Sequence, residues 1–149
     1  MTKSLPPKSL VLYADDDEDD RDLIIDAFSE YGSVIDLVTF EEGADLLHFI
    51  QDLSPSQPDP CLIILDVNMP GMDGKQTLRR IRMMDECKEV PVVLFTTSTL
   101  PSEGAFAEAY GAGFVTKPLH TKQIHQIINK LLDHCTEEVK EKIRKVRGN

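Results

Sequence analysis

Short apolar runs of strand length alternate with longer amphipathic segments along this chain. Apolar residues in the longer segments recur every three or four positions, which is the spacing of one face of a helix. The runs that we predict to be strands cover residues 10–14, 34–38, 61–65, 90–95 and 113–115. Strands that alternate with helices pair in parallel, because each helix returns the chain to the starting edge of the sheet.

The sequence therefore predicts an α/β fold with five helices between and after the strands. The run at 61–65 is apolar throughout, as is typical of a central strand covered on both faces. We expect a flavodoxin-like, doubly wound, five-stranded parallel sheet in the order 2-1-3-4-5. The last predicted helix of the domain is lined by Ile124, Ile127, Ile128, Leu131 and Leu132.

The length of 149 residues fits one domain, which we place at 8–134, followed by a C-terminal helical tail at 135–149. The stretch 136–149 has five basic and three acidic residues, a charge of +2, so that the rest carries −12 of the total of −10. Because this stretch is polar on most faces, we expect an exposed helix.

The net charge of −10 would repel nucleic acid phosphates and anionic membrane surfaces. We therefore expect no direct DNA binding and no membrane partner. No stretch approaches 18 consecutive apolar residues and the N-terminal residues lack the long apolar core of a secretory signal, so we expect a cytoplasmic location. Three cysteines without a CxxC pair argue against a disulfide framework or a zinc site.

Chemically active side chains follow four of the predicted strands. Asp15 and Asp16 follow the first strand, Asp66 the third, Thr96 ends the fourth and Lys117 follows the fifth. Ligands of open α/β sheets bind outside the carboxyl ends of the strands. These five side chains should therefore meet in one pocket.

The three carboxylates of this pocket need a cation. Two carboxylates ~5 Å apart repel each other by roughly 3 kcal/mol at an effective dielectric constant near 20. Mg²⁺ suits the site because it accepts a few carboxylate or carbonyl oxygens and keeps positions free for phosphate oxygens. Phosphoryl transfer needs mainly positioning and neutralisation of negative charge, and Lys117 and Thr96 would supply further donors.

Each of these residues also has an ordinary structural interpretation. The acids at 15–17 could cap the helix that follows, and Asp73 is better explained as a cap than as a ligand. Lys117 alone would be read as a solvated lysine. Their joint placement at successive strand ends favours the functional interpretation.

The segments LVLYADDDEDD, LIILDVNMPGMDG, VVLFTT and FVTKP resemble the four signature segments of response-regulator receiver domains, in the same order and spacing. This resemblance covers about residues 8–134. It implies that Asp66 is the phosphoacceptor, that Asp16 binds Mg²⁺ directly, and that Asp15 does so directly or through water. It also implies that the backbone carbonyl of Asn68 is a metal ligand.

The same resemblance implies a switch. Lys117 would pair with Asp66 or its phosphate, through a cis Lys117–Pro118 bond, and Thr96 would bind a phosphoryl oxygen. Phe114 would turn inward on activation and change the face formed by helix four, strand five and helix five. Thr97 is larger than the alanine or glycine that is frequent at its position in the family.

The implied function is that of a phosphoacceptor in two-component, or phosphorelay, signal transduction rather than an enzyme acting on other molecules. Expected partners are a sensor histidine kinase or a histidine phosphotransfer protein, and a downstream protein target; a homodimer through the tail stays open. The alternative is a receiver-like adaptor that binds its partner without phosphorylation. An EF-hand and a haloacid-type phosphatase are disfavoured, because Asp20 replaces the required glycine of the first and DVNMP lacks the second aspartate of the other.

Overall fold

Five parallel strands form one sheet in the computed structural model, which describes residues 8–53, 59–117 and 123–148. The order across the sheet is β2-β1-β3-β4-β5, which confirms the predicted α/β fold and strand order. The strands are β1 (Ser9–Ala14), β2 (Ile35–Phe40), β3 (Leu62–Leu65), β4 (Val92–Thr96) and β5 (Gly113–Thr116).

The described residues form six α-helices, α1 (Glu18–Phe28), α2 (Gly43–Gln51), α3 (Gly74–Arg82), α4 (Pro101–Ala109), α5 (Ile124–Leu132) and α6 (Glu137–Arg147). Short 3₁₀ turns follow α1 at Ser29–Tyr31 and α3 at Asp85–Cys87. The strand predicted at 90–95 begins two residues later, after Pro91, which has no N–H for the sheet. No described helix is long and apolar enough to span a membrane.

Side chains of successive strand residues point to opposite faces of the sheet and build two cores. The first core lies against α1, α5 and α6, and its strand residues include Val11, Tyr13, Leu62, Ile64, Val93, Phe95 and Val115. The second lies against α2, α3 and α4, and its strand residues include Leu12, Ala14, Ile63, Leu65, Val92 and Leu94. The central strands are therefore covered on both faces, as the sequence predicts.

Two helices begin at aspartate caps beside the carboxyl edge of the sheet. Asp17 accepts a hydrogen bond from the N–H of Asp20 at the start of α1. Asp73 and Gln76 form a capping box at the start of α3, which confirms the prediction of a cap at Asp73. A side chain at Gly74 would collide with the carbonyl oxygen of Asp66, so a glycine lets α3 approach the end of β3.

Arg82 links two loops at the amino edge of the sheet, opposite the carboxyl edge. Its guanidinium donates to the carbonyl oxygens of Cys87 (3.0 Å) and Val90 (2.7 Å), ahead of β4. It also donates to those of Tyr110 (2.8 Å) and Gly111 (3.2 Å), between α4 and β5. The C-terminal ends of α3 and α4 are thereby joined at one point.

The C-terminal stretch is helical and most of its described residues are exposed, but contrary to the prediction one face of it is buried. Val139 and Ile143 of α6 are buried in the first core. They lie four residues apart and so share one face of the helix. Arg147 Nε donates to the Tyr31 hydroxyl at 2.8 Å, and Lys142 Nζ to Ser9 Oγ at 3.3 Å. Two buried apolar side chains and these hydrogen bonds thus dock an otherwise polar helix.

The docking of α6 can be tested with two valines of that helix, of which Val139 is 6% exposed and Val146 is 37% exposed. We expect Val139→Ala to lower the free energy of unfolding by about 2 kcal/mol, because it removes buried methyl groups and leaves a cavity. Val146→Ala should change it by less than about 0.5 kcal/mol. Urea denaturation measures both, and equal effects would contradict the docked position of α6.

Candidate functional site

Three carboxylates meet at the carboxyl edge of the sheet. Asp15 and Asp16 directly follow β1, and Asp66 directly follows β3, its neighbour in the sheet. One oxygen from each carboxylate lies within 4.8 Å of the others. Asp15 and Asp66 are buried, whereas Asp16 is exposed. The structure thus brings together the acids that the sequence places at these strand ends.

A single ammonium group lies among these acids. Lys117 Nζ is 2.7 Å from Asp15 Oδ2, 2.8 Å from Asp20 Oδ2 and 3.3 Å from Asp66 Oδ1, and its side chain is only 7% exposed. Burial alone would lower the pKa of Lys117. Hydrogen bonds to Asp15 and Asp20 and the charges of the carboxylates outweigh burial, so the pKa rises above its ordinary value and Lys117 stays charged.

Burial, followed by the negative charge of Asp15, raises the pKa of Asp66 to about 7, although Lys117 acts in the opposite direction. Near neutral pH the carboxyl group of Asp66 is therefore divided between its charged and neutral forms. A cation bound to its oxygen atoms would favour the charged form, which is the nucleophilic one.

Asp15 is held on three sides. The Tyr13 hydroxyl donates to Asp15 Oδ2 at 2.6 Å, and the Asp17 N–H donates to Asp15 Oδ1 at 3.0 Å. Arg21 Nη1 donates to the Asp15 carbonyl oxygen at 2.7 Å. Burial and then the charge of Asp15 raise the pKa of Tyr13, so its hydroxyl remains a donor. The position of the Asp15 carboxylate is fixed before any ligand arrives.

Tyr13, Asp20 and Arg21 were not predicted from the sequence as residues of this site. Tyr13 could have been found, because it lies two residues before Asp15 and shares its face of the strand. Asp20 and Arg21 lie in the first turn of α1, and the direction in which their side chains point depends on the residue at which that helix begins.

The two residues assigned to the switch lie on the other face of the sheet. Thr96 ends β4 and is buried, and its hydroxyl accepts a hydrogen bond from the Ser98 N–H at 3.1 Å. Phe114 pairs with Leu94 in the register of β4 and β5 and packs partly buried against the second core. The exposed Asn68 lies in the loop after β3. The bond expected to be cis involves Pro118, which lies outside the described residues.

The donor set of this site fits a hard divalent cation. All three acids offer carboxylate oxygens, the ligands that such cations prefer, and the described residues contribute no cysteine or histidine to the cluster. Lys117 pairs with Asp15 and Asp66 but not with Asp16, so one ammonium group leaves the three carboxylates with an excess of negative charge. The exposed Asp16 leaves one side of the cluster open to solvent.

Comparison with known proteins agrees with this geometry. Residues 11–129 match the family described as the response regulator receiver domain. Response regulator Rcp1 from Synechocystis sp. is 28% identical, over 92% of this chain and 95% of Rcp1. Two-component response regulator ARR17 from Arabidopsis thaliana is 31% identical, over 83% of this chain and 84% of that protein.

Solved structures whose sequence identity to this chain is similar to that of these relatives share its fold. The chemotaxis protein CheY4 of Vibrio cholerae is 27% identical with a TM-score of 0.70, over 85% of this chain and all of that one. The Mn²⁺-bound form of Rcp1 is 25% identical with a TM-score of 0.74, over 85% of this chain and 93% of that one. The chain therefore belongs to the response regulator receiver domain family, the phosphoacceptors of two-component signalling.

Proposed function

We propose that this receiver domain is phosphorylated on Asp66 with the help of Mg²⁺ held by Asp15, Asp16, Asp66 and the backbone carbonyl of Asn68. The observation that carries the proposal is the cluster of three carboxylates at the carboxyl edge of the sheet, two of which pair with one buried ammonium group. When bound, Mg²⁺ would neutralise negative charge on the carboxylates and on the incoming phosphoryl group.

The residues of the chain then have separate tasks. One Asp66 oxygen forms the bond to phosphorus while the bond between phosphorus and the donor's leaving group breaks, which gives an aspartyl phosphate. Lys117, charged and already at the pocket, donates to a phosphoryl oxygen. The Tyr13 hydroxyl and the Asp17 N–H keep the Asp15 carboxylate in place.

Thr96 and Phe114 would carry the signal to the surface formed by α4, β5 and α5. The Thr96 hydroxyl can turn to donate to a phosphoryl oxygen, which moves the loop after β4 and lets Phe114 enter the space vacated. The start of α4 is suited to such a movement. Leu100 provides no side-chain cap, and Glu103 Oε2 is buried without a hydrogen-bond partner among the described residues, at a cost of about 1–3 kcal/mol.

The phosphodonor would be a sensor histidine kinase or a histidine phosphotransfer protein, and the altered surface would bind a downstream protein. The net charge of −10 would repel the phosphates of DNA, so we propose that the target is not DNA. We propose that the protein catalyses its own phosphorylation from phosphodonors and the later loss of the phosphoryl group, and that it does not act as an enzyme on other molecules. An adaptor that works without phosphorylation is the competing function, and the first experiment below distinguishes the two.

The phosphoacceptor is tested with acetyl phosphate and Mg²⁺. Intact-mass spectrometry should show one phosphoryl group on the wild-type protein and none on Asp66→Ala, because the nucleophile is lost. Asp85→Ala is the control, since its side chain is exposed and lies at the opposite edge of the sheet. A modified Asp66→Ala protein would refute the assignment, and an unmodified wild type would favour the adaptor.

The metal site is tested at Asp16. Asp16→Ala should raise the dissociation constant for Mg²⁺ at least about tenfold, equivalent to 1.4 kcal/mol, and abolish Mg²⁺-dependent phosphorylation. The fold should stay intact, because the change relieves repulsion between carboxylates. Asp19→Ala, an exposed acid in the first turn of α1, is the control. Titration calorimetry measures the affinity, and equal effects of the two variants would remove Asp16 from the site.

The switch is tested by amide exchange with beryllofluoride, a mimic of the phosphoryl group. Binding should change the exchange of residues 97–117 in the wild type, and Thr96→Ala should lose this response while still binding the mimic. A ligand shifts a conformational equilibrium only through contacts that differ between the two states, and the Thr96 hydroxyl provides that contact. Thr97→Ala, an exposed neighbour, should respond like the wild type. An unchanged response in Thr96→Ala would contradict this mechanism.

A further inference from the structure

Lys117 contacts one carboxylate that does not belong to the metal cluster. Asp20 lies in the first turn of α1, and its Oδ2 accepts a hydrogen bond from Lys117 Nζ at 2.8 Å. The other two partners of the ammonium group, Asp15 and Asp66, both belong to the cluster of acids that would hold the cation. Asp20 thus binds Lys117 from outside the metal site.

A cation in the cluster would disturb the two other ion pairs. Asp15 and Asp66 would share their negative charge with the cation, and the cation would repel the ammonium group of Lys117 at close range. Lys117 must nevertheless remain beside Asp66 if it is to donate to a phosphoryl oxygen. It therefore needs an anion that keeps its full charge when the metal is bound.

Asp20 meets this requirement. Its side chain is 30% exposed and so keeps contact with water, while Lys117 is only 7% exposed. Asp17 caps α1 and fixes the first turn from which Asp20 projects. An ammonium group has three N–H donors, so Lys117 can bind Asp20 and a phosphoryl oxygen at the same time.

The surroundings of Lys117 restrict where else its ammonium group could go. Its side chain borders a small space that is also lined by Asp20, Leu23, Ile24, Phe95 and Ile124. The ammonium nitrogen lies 5.8 Å from the centre of the Phe95 ring. Among the described residues, the ion pairs of Lys117 are limited to its three aspartates.

We propose that Asp20 is a positioning residue for Lys117, which it holds at the pocket when the cation occupies the cluster, so that the ammonium group is ready for the phosphoryl oxygen. This inference rests on the proposed function of the site. Asp20 itself would touch neither the metal nor the phosphoryl group.

The test compares Asp20→Asn with Asp19→Asn, which removes the same charge from an exposed neighbour in the same turn of α1. The affinity for beryllofluoride is measured by titration calorimetry at saturating Mg²⁺, so that altered metal binding does not contribute. We expect Asp20→Asn to weaken the binding of beryllofluoride about tenfold, which corresponds to 1.4 kcal/mol. Asp19→Asn should change it less than about twofold, since exposed charges at a distance are screened.

A second background separates positioning from a general effect on charge or folding. In Lys117→Met, which already lacks the ammonium group, Asp20→Asn should weaken beryllofluoride binding no more than Asp19→Asn does. A tenfold effect that persists in Lys117→Met, or equal effects of the two aspartate variants in the wild-type background, would overturn the role of Asp20. If the wild-type protein fails to bind beryllofluoride with Mg²⁺, the proposed function itself is wrong, and this inference falls with it.

Discussion

The site depends on one buried ammonium group that holds buried carboxylates together. Lys117 lies within 3.3 Å of Asp15 and Asp20, which lie between β1 and the first turn of α1, and of Asp66, which follows β3. Unpaired, the buried acids would repel each other strongly in a medium of low dielectric constant. The ammonium group reduces this repulsion without filling the cluster, and the acids remain able to accept a cation of higher charge.

The ion pairs of the site lie on one face of the sheet, and the residues proposed for the switch lie on the other. Tyr13, Phe95 and the stem of Lys117 lie on the face of α1 and α5, where the ion pairs form. Thr96 and Phe114 belong to the face of α4, where a partner would bind. The backbone connects the two faces directly, because the Lys117 N–H donates to the Thr96 carbonyl oxygen at 2.8 Å. A change on one face therefore has a short route to the other.

The sequence predicts the three acids of the cluster because parallel strands end at one edge of a sheet, and it predicts the strand order because the alternation of strands and helices indicates a flavodoxin-like fold. Asp20 could not be predicted because the direction of its side chain depends on where α1 begins, whereas Tyr13, two residues before Asp15, could have been predicted from the alternation along β1. The docking of α6 was missed because Val139 and Ile143 are two apolar residues in a polar segment, and tertiary contacts decided the outcome. The roles of Asn68 and of the Lys117–Pro118 bond stay predictions.

The hydrogen bonds from Arg82 fix the C-terminal end of α4, so that a tilt of this helix would mainly move its N-terminal end. The carbonyl oxygens of Tyr110 and Gly111 are fixed to α3, whereas the start of the helix at Leu100 has no cap of its own. Nine helical residues span about 13 Å, so a displacement of about 1 Å at Leu100 tilts the helix by about 4° and leaves Tyr110 almost still. Such a displacement would be graded along α4 and largest at the 60% exposed side chain of Leu100.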